Sequence, residues 1–174
     1  MGTAVVRLQG TPPRLPGLHR LRAPLNCRTP MRYHIQEGHF DLPDDGRIDR
    51  SMNVLAMPDG SGVTFIVSRD ALRAHETLAQ FVERQMNDLK RQVSQLQETS
   101  RNPIGVGPAM RSLAAIEIAT RFRQNGQALH QRQAAFQLPD GRAVLILTAS
   151  SPEPFGESEL ALWQRTLASF QPRD

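Results

Sequence analysis

The stretch from Arg111 to Pro152 constrains the fold more than any other part of the chain. It reads as three consecutive antiparallel strands whose apolar positions do not fit on one face. In Ser112–Arg123 the even positions Ile116, Ile118 and Phe122 are apolar, while the odd ones include Glu117, Arg121 and Arg123. That period of two marks a half-buried strand. Gln124-Asn125-Gly126 supplies a tight turn, since Asn-Gly accepts the positive φ angles of a two-residue hairpin. The chain returns through Gln127–Gln137, turns at Pro139-Asp140-Gly141, and closes with Ala143–Ala149, which is apolar on both sides. Such a strand needs cover on both faces of its sheet.

A two-residue loop at Asn125-Gly126 places Ile116 opposite Ala135, Ile118 opposite Gln133, and Phe122 opposite Leu129. One face then carries Ile116, Ile118, Phe122, Leu129 and Ala135, with Gln131 and Gln133 set among them. The other is lined by Ala115, Ala119, Ala134 and Phe136, small enough in part for close helix packing. Pro139-Asp140-Gly141 fits a two- or a three-residue loop, so the parity of the last strand stays open. Glu117 opposite Arg132 or Arg121 reads as a surface ion pair of little energetic weight.

An unpaired buried amide costs about 1–3 kcal/mol, so Gln133 needs a partner. That partner is backbone or water of its own domain, or the polar groups of a bound ligand. Gln85, and Thr64 and Ser68 on either side of Ile66, add polar groups near the same surface. A greasy groove dotted with amides and hydroxyls suits an apolar helix containing small or polar residues.

The rest of the chain completes an α+β pattern. Tyr33–Gln36 and His39–Leu42 read as short strands, followed by Ser51–Met57 and Val63–Ser68 on either side of a Pro-Asp-Gly-Ser-Gly turn. A helix spans about His75–Leu96, with Leu78, Phe81 or Val82, Met86, Leu89, Val93 and Leu96 at three- and four-residue intervals. The repeat is short for a coiled coil. Asn102-Pro103 and two glycines break the chain, and a second helix over Gly156–Phe170 buries Leu160, Trp163, Leu167 and Phe170. The expected fold is one mostly antiparallel sheet packed with two main helices.

Composition removes several functions. A length of 174 residues suits a single domain with a real core. The sequence pI near 10.5 hints at nucleic acid, but five of the 21 basic residues and none of the 17 acidic ones lie in residues 1–30. The rest is close to neutral, which argues against a general attraction to phosphates. Residues 1–30 also hold five prolines and no periodicity; they are expected to be a disordered extension or an over-called start, with a single domain over 31–174. Cys27 is the only cysteine, so no disulfide forms within the chain. Pro24-Leu25-Asn26 before it lacks the apolar run of a lipoprotein signal. No segment reaches membrane-spanning length. His34, His39, His75 and His130 lack metal-ligand spacing. No phosphate loop or nucleophile elbow is present, and aromatic residues at 5% are too few for base stacking. No enzyme chemistry and no cofactor are expected; a binding role is.

Several segments resemble a known family. Tyr33-His34-Ile35-Gln36-Glu37-Gly38, Ser51-Met52-Asn53-Val54-Leu55, Phe81-Val82-Glu83-Arg84-Gln85, His130-Gln131-Arg132-Gln133-Ala134 and Val144-Leu145-Ile146-Leu147-Thr148-Ala149-Ser150 are together similar to the Eag chaperones of type VI secretion systems. The resemblance runs from Met31 to about Phe170; the extension before it departs from the pattern. It implies a DcrB/PsbP-like fold and a cytoplasmic homodimer without a membrane anchor. Its partner would be the N-terminal transmembrane region of a PAAR- or Rhs-containing effector, shielded from water and loaded on the secretion spike. By position, the family's groove would fall at Met52, Val54, Thr64, Ile66, Ser68, Gln85, Leu89, Leu129, Gln133 and Ala135. The alternative is a PsbP- or Mog1-like adaptor for a folded soluble protein.

Overall fold

The computed structural model describes residues 30–47, 49–139 and 141–172. The extension expected over residues 1–30 therefore lies, but for Pro30, outside the described residues. Contacts divide the chain after Gly46. Ahead of that point β1 (Met31–Ile35) and β2 (Gly38–Leu42) form an antiparallel hairpin, with Tyr33 opposite Phe40.

The second unit, from Arg47 onward, is a six-stranded sheet with two helices. Its strands are β3 (Met52–Leu55), β4 (Thr64–Ala71), β5 (Ser94–Val106), β6 (Leu113–Gln124), β7 (Gln127–Gln137) and β8 (Ala143–Ser151), in the order β3-β4-β8-β7-β6-β5. Every neighbouring pair is antiparallel. The helices are α1 (Leu78–Gln92) and α2 (Glu157–Ala168). The α+β architecture expected from the sequence is the one observed.

The β6–β7 register is the one the Asn-Gly turn requires: Ile116 faces Ala135, Ile118 faces Gln133, and Phe122 faces Leu129. Asn125 and Gly126 both take positive φ, 52° and 82°, the twist that matches paired strands. The next turn corrects both loop lengths proposed for it. The Leu138 N–H donates to the Ala143 carbonyl at 2.9 Å and Gln137 pairs with Val144, so five residues, 138–142, separate the strands. That parity puts Val144, Ile146 and Thr148 on the face of Ile118 and Gln133, and Leu145, Leu147 and Ala149 on the other.

Two further corrections concern the stretch after β4. The helix expected over His75–Leu96 is shorter at both ends. Thr77 caps it, its Oγ1 accepting from the Gln80 N–H at 3.2 Å while the Gln80 Oε1 accepts from the Thr77 N–H at 2.9 Å. Val93 is already extended. The segment read as a break is instead β5, thirteen residues along the sheet edge. Its alternation is blurred by register shifts beside Gln95 and Thr99 and by Pro103, and an edge strand tolerates such irregularities. The meander therefore has four strands, not three.

The sheet is covered on both sides. Phe81, Val82 and Met86 of α1 pack with Leu72, Ile118, Ala135, Val144 and Ile146. Trp163 and Leu167 of α2 pack with Val106, Ala115, Ala134, Phe136 and Ala149. The alanines let α2 sit close. Gly107, at φ 97°, donates its N–H to the Leu167 carbonyl at 2.9 Å, and a Cβ there would meet the Phe170 carbonyl at 2.9 Å. Only glycine satisfies both the angle and the approach.

Candidate functional site: the open half of the α1 face

The connectivity leaves part of one sheet face uncovered. α1 carries the chain from β4 to β5, four strand spacings apart in the sheet order, or about 19 Å. Its fifteen residues make a helix about 22 Å long, enough to cross the sheet once. It covers a band of that face. Ile66, Leu129, Met52 and Val54 belong to neither core cluster.

The register shows what lies beneath and beyond the helix. Val54, Ile66, Thr148, Gln133 and Ile118 line up across five strands. The next row runs Thr64, Ser150, Gln131, Thr120, all polar, and Leu129 lies opposite Phe122. Thr120, Phe122 and Thr148 are buried, so the reachable floor is Thr64, Ile66, Ser150, Gln131 and Leu129. Met52 and Val54 at the edge are 63% and 58% exposed, too open to be core residues. An apolar floor is thus crossed by a stripe of hydroxyls and amides.

All eight strand residues singled out from the sequence, Met52, Val54, Thr64, Ile66, Ser68, Leu129, Gln133 and Ala135, share this face. They are not equally reachable. Ala135 is buried beneath α1, and Leu89 packs against the same core. Gln85 and Gln133 line a void of about 10 Å³ with Phe81, Val82, Ile116, Ile118 and Ala135, too small for a ligand group. Gln133 stands half-buried at the margin of the covered band. Gln85 is already engaged, its Nε2 donating to Asp70 Oδ2 at 3.1 Å.

Asp70 belongs to a charged cluster that pins the start of α1 to β4. Arg84 lies 3.9 Å and Arg50 3.6 Å from its carboxylate. Arg84 also grips Glu76 with two bonds, at 2.8 and 2.9 Å, and lies 4.9 Å over the Phe81 ring. The Arg84 bonds, aided by the Arg73 N–H, hold the Glu76 carboxyl down at about 2. Sequence reasoning missed Asp70, and it missed Thr148 and Ser150 because the parity of β8 was open.

On the other face α2 lies over a buried carboxylate, beside a hollow of about 210 Å³. Glu117, 8% exposed, accepts from Trp163 Nε1 at 2.5 Å and Arg132 Nε at 3.0 Å. This corrects the expected surface pair: α2 covers the carboxylate, so its partners are obligatory rather than incidental. Towards the β3–β4 end the same face keeps an apolar hollow of about 520 Å³, lined by Leu55, Met57, Val63, Phe65 and Leu162 among others. Among the described residues no group of His, Cys, Asp or Glu is placed to hold a metal, and no helix is long and apolar enough to cross a membrane.

The second unit is thus an antiparallel sheet with one helix on each face and part of one face left open. Comparison with known proteins gives the family: the chain belongs to the DcrB family, whose pattern matches residues 37–169. It is 27% identical over 146 residues to the protein named Effector EagT6 of Pseudomonas aeruginosa, the match covering 81% of this chain and 95% of that one. The resemblance to Eag proteins drawn from the sequence is thereby borne out. A crystal structure of a protein of unknown function from Pseudomonas aeruginosa shares the fold, with TM-score 0.62 and 24% identity over 83% of this chain and 98% of the other.

Proposed function

We propose that this chain is an Eag-type chaperone of a type VI secretion effector. It acts in the cytoplasm as a homodimer, shields the N-terminal transmembrane helices of a PAAR- or Rhs-type effector from water, and aids loading on the spike. The carrying observation is the open half-face, where Met52, Val54, Ile66 and Leu129 lie outside both cores. A membrane helix is apolar around its circumference, and its few small or polar residues lose their partners in an apolar groove. The row Thr64, Ser150, Gln131 offers such partners beside apolar contact. The similarity to the protein named Effector EagT6 supports the same assignment.

The test is co-expression with a PAAR-type effector from the same genome. The effector accumulates in soluble form only with this protein; accumulation without it sinks the proposal. Capture of an effector lacking its N-terminal helices would favour an adaptor for a folded protein. Gln133→Ala weakens capture while the free protein keeps its unfolding midpoint, whereas loss of folding would make Gln133 a purely structural residue.

A further inference from the structure

A second surface lies on the opposite sheet face, at the end of β5–β7. The register shifts between Ser94 and Gln97, and Gln95 takes a positive φ of 54°. There the structure leaves a hollow of about 640 Å³ lined by Gln95, Gln97, Arg121, Arg123 and His130 with Leu96, Phe122 and Ala128. Arg121 stands between Gln97 on β5 and His130 on β7, and Arg123 follows two residues on, on the same face. No carboxylate lines this hollow.

The hollow brings two arginines together without a carboxylate. Arg32, Arg84, Arg91, Arg101 and Arg132 all sit on carboxylates. Arg121 and Arg123 have no such partner among the described residues. Like charges adjacent on one sheet face repel, and an anion between them removes the repulsion. The hollow is far larger than one oxyanion, and its glutamine amides both donate and accept, as peptide groups require. Among the described residues β5 is also the last strand of the sheet, so its outer edge can pair with an added strand.

We propose that this hollow receives a carboxylate-bearing peptide segment of a partner protein. The segment lies along the β5 edge with its acidic side chains between Arg121 and Arg123. The site is on the other face from the apolar groove and stands whether or not a membrane helix binds there.

The experiment titrates the full chain into fluorescein-labelled hexaglutamate at low salt and reads anisotropy. R121Q/R123Q weakens binding at least tenfold. R111Q/R165Q, which removes the same charge outside the hollow, changes it less than twofold. Equal losses in both double variants mean general charge attraction and overturn the proposal, as does an absence of binding to the wild-type chain. Displacement by tripolyphosphate at the concentration at which unlabelled hexaglutamate competes makes the hollow a phosphate site and overturns it equally.

Discussion

The two faces of the six-stranded sheet are made by the same strands and each carries one helix, yet the two helices cover them differently. On the α2 face Ala115, Ala134 and Ala149 let the helix approach, Trp163 fills the space, and Glu117 satisfies both the indole and Arg132. On the α1 face the helix is also a crossover, bound to run from β4 to the far edge. It covers one band and leaves Thr64, Ile66, Ser150 and Leu129 beyond it. Helix number and apolar content do not decide coverage; the path that the connection must take does.

The largest expected effect is on the α2 face. Trp163→Ala removes a fully buried indole and orphans part of the Glu117 carboxylate. It should cost about 3–5 kcal/mol, read as a fall in the urea midpoint with little change in slope. Replacement of Ile66 by alanine, on the open half, should cost distinctly less. Equal losses would mean that the two regions are packed alike and would break the comparison.

How much of this contrast was legible in the sequence follows from which signals are local. The Asn125-Gly126 turn fixes its own register, so the face shared by Ile118, Gln133 and Ala135 could be read from residue numbers alone. The Pro139 turn has no such single solution, and Thr148 and Ser150 went unassigned with it. β5 was missed because bulges and Pro103 interrupt its period of two, and because Val93 and Leu96 continue the helical spacing past the true end of α1. Leu96 does pack against the α1 core, but from β5. Glu117 looked like a surface charge because nothing local says that α2 will lie over it. The face was a sequence property; which half of it stays open was a property of topology.

The cluster that fastens α1 to β4 gives a pH-dependent test of the covered band. The Glu76 carboxyl is held at about 2 instead of the ordinary 4.5 by its bonds to Arg84. The unfolded chain therefore binds the extra proton first as pH falls, and the stabilisation is whole above 4.5 and lost on the way down to 2. The difference in unfolding midpoint between wild type and Glu76→Gln should be constant from pH 7 to about 5 and shrink below that. A difference independent of pH down to 3 would separate Glu76 from the seating of α1.

A smaller effect is expected at the first turn of the same helix. Thr77→Ala removes the acceptor for the Gln80 N–H and half of a reciprocal cap, which should cost about 1 kcal/mol. If α1 only spans the sheet and does not shape the groove, effector capture should survive this change in proportion to the folded fraction.

The smallest effect on stability should accompany the largest on binding. Met52 and Val54 project from the edge strand onto the α1 side, while Leu55, also 58% exposed, faces the α2 side opposite Phe65. Aspartate at any of the three meets water in the free protein and should shift stability by no more than about 0.5 kcal/mol. With an apolar helix on the α1 side, M52D or V54D would bury an unpaired carboxylate, a cost of several kcal/mol, and soluble effector should disappear. L55D carries the same charge one residue away and should leave capture intact. Loss of capture in L55D but not in V54D would move the binding surface to the apolar hollow beside Leu162 and reverse the assignment of the two faces.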